Sequence, residues 1–107
     1  MKTEESTDSS GKRSQPYVLR LYVAGGEPNS RLARANLTRI CKEHLEDRYQ
    51  IEEIDVLNDF ARALIDRIFV TPTLVLIAPE PKATVVGNLG DEGSVISALR
   101  LRLSHES

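Results

Sequence analysis

The sequence predicts an α/β fold: one mixed four-stranded sheet with three helices, in the order βαβαββα. Short β-branched and aromatic runs alternate with stretches whose apolar residues recur at helical spacing. Clusters of Gly, Pro and Asn mark the points where the period changes. The last two apolar runs are joined by a short link around Pro79-Glu80-Pro81, which fits a hairpin and not a helical crossover.

The first strand is 17–23 (YVLRLYV), mostly buried and interrupted only by Arg20. Ala24-Gly25-Gly26-Glu27-Pro28 ends it. Asn29 or Ser30 supplies a side-chain oxygen to cap a helix of about 30–46. Ala33, Leu37, Ile40, Cys41 and His44 form its apolar stripe. Residues 49–56 read as a second strand, with Ile54 and Val56 on one face. Asn58 caps a short second helix whose buried stripe is Phe60, Ala63, Leu64 and Ile68. After Thr71-Pro72-Thr73, the continuous apolar run 74–78 is a buried third strand, and 83–87 a fourth, antiparallel to it. Asp91 caps a last helix with Val95, Ile96, Leu99 and Leu103 on its apolar face and Arg100 and Arg102 near its end. The first βαβ unit is expected to be parallel and right-handed. The whole is a thioredoxin-like arrangement.

Composition bounds the function. The 107 residues carry 14 basic and 16 acidic side chains, a net charge of −2 that gives no pull toward nucleic acid or an anionic membrane. No apolar run approaches the ~20 residues that span a bilayer. The expected domain is 17–103, preceded by a disordered polar tail, 1–16, and followed by a frayed end, 104–107. The polar start carries no secretory signal, and the single cysteine fits a reducing cytoplasm.

That cysteine also limits the chemistry. A thiol oxidoreductase on this fold needs a low-pKa thiolate at the start of the first helix and a second thiol to resolve the mixed disulfide. The matching stretch, 25–30, has no cysteine, and Cys41 lies on the buried stripe as a small core hydrophobe. His44 and His105 have no second His or Cys at ligand spacing, so no metal site and no cofactor are expected. Asp55, Asp59 and Asp66 are carboxylates that also read as caps and solvated charges. Gly25-Gly26 before a helix can hold an anion, but the full phosphate-binding patterns are absent and a turn accounts for the pair. Pro72 must begin its strand, because it has no N–H to give a ladder. A cis peptide is expected there from the fold.

Residues 17–25 (YVLRLYVAG) with Pro28-Asn29-Ser30 resemble the opening of the KaiB family of the bacterial circadian clock. Ile54-Asp55-Val56-Leu57, Thr71-Pro72-Thr73-Leu74 and Gly87-Asn88-Leu89 match its later landmarks in order, across about 17–103. The resemblance implies a non-enzymatic adaptor that binds a KaiC-type hexameric ATPase on its first ring. It also implies KaiA or a sensor histidine kinase as further partners. An alternative is a thioredoxin-like signalling module that binds a histidine kinase or response regulator without KaiC. Clock-type members are metamorphic, with a resting tetramer and a thioredoxin-like binding monomer. Monomer, dimer and homotetramer are all consistent with the family.

Departures from the family pattern cluster near the end of the chain. Ala98 and Arg100 replace a Gly and an Asp of clock-type members. Ala is better than Gly in a helix by ~1 kcal/mol, and Arg suits a helix C-terminus. Both changes are expected to favour the thioredoxin-like packing. Phe60 stands where the family has a proline. For binding, the resemblance points to Asp55, Leu57 and Asn58 at a strand–helix junction. It adds Arg67 in place of a family lysine, and Arg31, one residue from the family's basic position, where Leu32 stands. Each also reads as a cap or a solvated surface residue. A role in a clock and a role in stress signalling both fit.

Overall fold

Alternation along β1 (Tyr17–Val23) divides the molecule into two faces. Leu19, Leu21 and Val23 point to one side and are buried; Arg20 and Tyr22 point to the other. The computed structural model describes residues 16–101. The remaining elements are α1 (Pro28–His44), β2 (Tyr49–Asp55), α2 (Phe60–Ile65), β3 (Thr73–Ala78), β4 (Ala83–Val86) and α3 (Glu92–Leu99). The expectations for the tail 1–15, for Arg102 and Leu103, and for the end 104–107 with His105 lie outside the described residues.

The sheet order is β2-β1-β3-β4. β1 and β2 are parallel, from Tyr17 opposite Tyr49 to Val23 opposite Asp55. β3 runs antiparallel to both β1 and β4. One face carries the core. There Leu19, Leu21, Val23, Leu74 and Leu76 pack with Ala33, Leu37, Ile40 and Cys41 of α1 and Val95 and Leu99 of α3. Burying a Leu or Ile side chain contributes ~1.5–3 kcal/mol, so this layer supplies most of the driving force for folding.

The helix ends differ from those read in the sequence, for local reasons. α1 starts at Pro28, not near 30, and its cap is Glu27, whose carboxylate accepts the Ser30 N–H at 2.9 Å. Pro28 has no N–H to satisfy, so it occupies the first turn without cost. Ser30 is fully buried and does other work: its Oγ accepts from the Ala24 N–H at 3.1 Å and donates to Glu27. α1 ends at His44, not 46, because Glu46 adopts the left-handed conformation, φ 56°. The cap of α2 is Asp59, not Asn58; it accepts from the Arg62 N–H. Asp91 caps α3 as expected. Arg100, expected inside the last helix, sits past its end as a left-handed cap with φ 59°. Ala98 lies inside α3. β2 stops at Asp55, β3 begins at Thr73 and β4 ends at Val86, each one residue from the expected limit.

The largest departure is α2. Its expected buried stripe faces outward: Phe60 is 66% and Leu64 52% exposed, and Ala63 alone in the helix is buried. Ile68, half-buried, falls beyond the helix end. The face of the sheet beneath α2 presents Arg20, Tyr22 and Glu52, so the inward side of the helix is polar.

Candidate docking surface

Polar contacts hold α2 to the sheet. The Tyr22 hydroxyl, on a side chain 1% exposed, donates to Asp66. Asp66 also accepts from Arg62 Nε at 3.2 Å and lies 3.7 Å from Arg20. Arg20 and Arg62 both reach Glu52 of β2, at 2.9 and 3.5 Å. The Tyr22 hydrogen bond, then the Arg62 and Arg20 charges, holds the Asp66 carboxyl below the usual range. Burial first, then the bond to Asp66, raises the Tyr22 phenol above its usual value. The small Ala63 lets the helix approach closely, and its large apolar side chains are left to face solvent.

Four of the five residues indicated by the family resemblance come together beside this helix. Asp55 Oδ1, at the end of β2, accepts from the Gly25 N–H at 3.1 Å and the Leu57 N–H at 3.0 Å. One carboxylate therefore ties the β1–α1 loop to the β2–α2 loop. The Asn58 side chain donates to the other Asp55 oxygen at 3.4 Å. Arg31 Nη1 donates to the Gly26 carbonyl of the same loop. Leu57 is 71% exposed, yet one of its methyls approaches Gly25 closely. A Cβ on Gly25 would lie 3.2 Å from that methyl, and Gly25 has φ 55°, so glycine fits here on both counts. Arg67 is set apart. It follows α2 in the left-handed region, φ 61°, and lines a groove on the other side of the helix.

Sequence reasoning missed Phe60, Leu64 and Ile65 as surface residues. The available signal was Arg62 and Asp66, spaced i,i+4 beside Ala63: a polar pair and a small residue mark an inward side just as an apolar stripe does.

Other candidate chemistry resolves into structure. Cys41 is fully buried and its thiol is pushed up to about 12 by desolvation, which removes the thiolate at neutral pH. Glu43, His44 and Glu92 bring ligand-type atoms within 4.8 Å of one another. Arg39 already lies among them, 2.8 Å from Glu92 and 3.6 Å from Glu43, and His44 Nε2 is 3.3 Å from Glu92. These contacts hold α1 to α3. Thr71-Pro72, Ala78-Pro79 and Glu80-Pro81 are cis. Among the described residues no helix is long and apolar enough to cross a membrane.

The strand order and the helices on both faces define a thioredoxin-like domain. Solved structures agree on the fold. The N-terminal domain of Synechococcus elongatus SasA superposes with a TM-score of 0.67 at 24% identity, covering 80% of this chain and 85% of that one. Thioredoxin from Trypanosoma brucei brucei gives 0.65 at 14% identity over 87% and 83%. Within that class the chain belongs to the KaiB family: the KaiB domain matches residues 20–101. It is 43% identical over 82 residues to circadian clock protein KaiB3 of Synechocystis sp., covering 77% of this chain and 80% of that protein. It is 41% identical over 90 residues to circadian clock oscillator protein KaiB of Nostoc punctiforme, covering 84% and 86%.

Proposed function

We propose that this chain is a non-enzymatic, cytoplasmic adaptor of the circadian-clock type that docks on a KaiC-type hexameric ATPase and regulates its cycle. The observation that carries this reading is α2, a helix anchored by charges with Phe60 and Leu64 turned to solvent, beside Leu57 of the preceding loop. Exposed apolar side chains rimmed by polar residues are the chemistry of a protein interface. In this reading Leu57 is the apolar anchor. Asp55 fixes the two loops, and Arg31, Asn58 and Arg67 supply polar contacts. The buried thiol supports a role in binding over one in thiol exchange.

The reading extends to the resting state. The chain rests in the thioredoxin-like packing, stabilised by Ala98 within α3. NMR secondary shifts showing strand across 95–101 would refute that part.

Size-exclusion chromatography with light scattering, on the protein mixed with the KaiC-type hexamer of its own source, tests the whole. The expected result is co-elution that depends on whether ATP or ADP is present, weakened by Leu57→Ala and Arg67→Ala. Absence of co-elution with either nucleotide would overturn the ATPase reading in favour of a different signalling partner, such as a histidine kinase. The same run gives the oligomeric state.

A further inference from the structure

The two faces of the sheet are unequally covered. Among the described residues, the core face carries α1 and α3 and the second carries only α2, seated over β1 and β2 through Tyr22, Arg20 and Glu52. Over β3 and β4 no described element covers the second face. Its floor is Val75 and Ile77 of β3 with Thr84 and Val86 of β4, all on the side opposite the core. The segment after α2 forms a wall, with Phe69 80% and Val70 53% exposed, and the groove between holds about 460 Å³.

We propose that this open half-face is a berth for an acidic amphipathic helix of a partner protein. Strands lie ~4.8 Å apart and β4 is the edge of the sheet, so the strip over β3 and β4, walled on one side by the segment after α2, takes one element lying along the strands and not two. β3 has six residues and is ~20 Å long, enough to meet three to four helical turns. The floor is apolar, which calls for side chains at i, i+3, i+4 and i+7. The rim fixes the sign of the flanks. Arg20, Arg67 and Lys82 line the groove against one acid, Asp66. Arg20 and Asp66 are engaged with each other and with α2 and β2. Arg67 and Lys82 have no ion-pair partner among the described residues. Lys82 precedes β4 at the Ile77 end of the floor, so a helix lying along the strands passes it. Asp or Glu on the flanks of that helix meets both cations. The floor is distinct from Asp55, Leu57 and Asn58; Arg67 is the one residue this inference shares with the ATPase reading, so the test rests on Lys82.

The experiment is site-specific photocrosslinking. Thr84, exposed on the floor, is replaced by benzoylphenylalanine in the full chain in its own cells, with Lys42 on the opposite side of the molecule as a reference position. Crosslinked peptides are identified by mass spectrometry. The expected product from Thr84 is a segment of another protein with helical apolar spacing and acidic flanks. Its yield should fall about fivefold or more on Lys82→Glu. A product on a second copy of this chain, on a basic or extended segment, or none above the Lys42 level overturns the proposal. A probe at Val86 replaces Thr84 if that variant melts early. Co-elution of Lys82→Glu with the KaiC-type hexamer, scored in parallel, separates failure of this inference from failure of the ATPase reading.

Discussion

Helix α1 reaches the sheet through Ala33, Leu37, Ile40 and Cys41, all buried, along 17 residues. Helix α2 has six residues and reaches it through Ala63 and the charges of Arg62 and Asp66. The two helices flank the same strands, yet α1 turns its apolar side chains inward and α2 turns them outward. Burial stabilises α1 in proportion to the area removed from water. Half-exposed ion pairs hold α2 more weakly, because water and salt screen them. The short helix therefore presents apolar side chains at the surface without a core of its own.

Mutations can break this comparison at either end. The largest effect is expected from Leu37→Ala, a loss of about 2–5 kcal/mol in chemical denaturation, as for other buried leucines. Tyr22→Phe removes the hydroxyl bonded to Asp66. Arg62 and Arg20 remain as partners of the carboxylate, so the cost is about 1 kcal/mol. Hydrogen exchange should place the loosening in α2 and not in α1.

Acid provides a third handle. Asp66 has its folded pKa depressed, so its contribution to stability is full above the unfolded value near 4 and is lost as pH falls through the folded value. In Asp66→Asn that part of the acid dependence disappears. Denaturation midpoints from neutral pH downward should fall less steeply below about pH 4 than in the parent. The smallest effect is expected from Phe60→Ala: within about 0.5 kcal/mol in stability, since the ring is already exposed. A loss as large as that of Leu37→Ala would show that α2 is packed after all.

Much of this was legible from residue order. β1, α1 and β3 declared themselves because their apolar periods face a core, and Asp91 capped α3 as its position implied. The second helix was legible as an element but not in its orientation. Phe60, Leu64 and Ile68 recur at helical spacing whichever way they face, and periodicity carries no label for inside. What decides the direction is Arg20 and Tyr22, some 40 residues upstream in β1, and a pairing at that separation leaves no local trace. Arg20 within an otherwise apolar strand was the visible hint. The caps at Glu27 and Asp59 were missed by one or more positions because several polar residues stand together and only backbone geometry chooses among them. The joining of Gly25 to Leu57 through Asp55 was likewise beyond a linear reading.

The hydroxyl of Tyr17, the first residue of β1, donates to the carbonyl of Leu99, the last residue of α3, at 3.1 Å. That carbonyl is one of the final-turn acceptors a helix leaves open. The bond thus fastens the last described helix to the first described strand, 82 positions apart, like a belt whose tongue enters its own buckle. The last helix is latched by the first strand, so release of either one breaks a bond to the other.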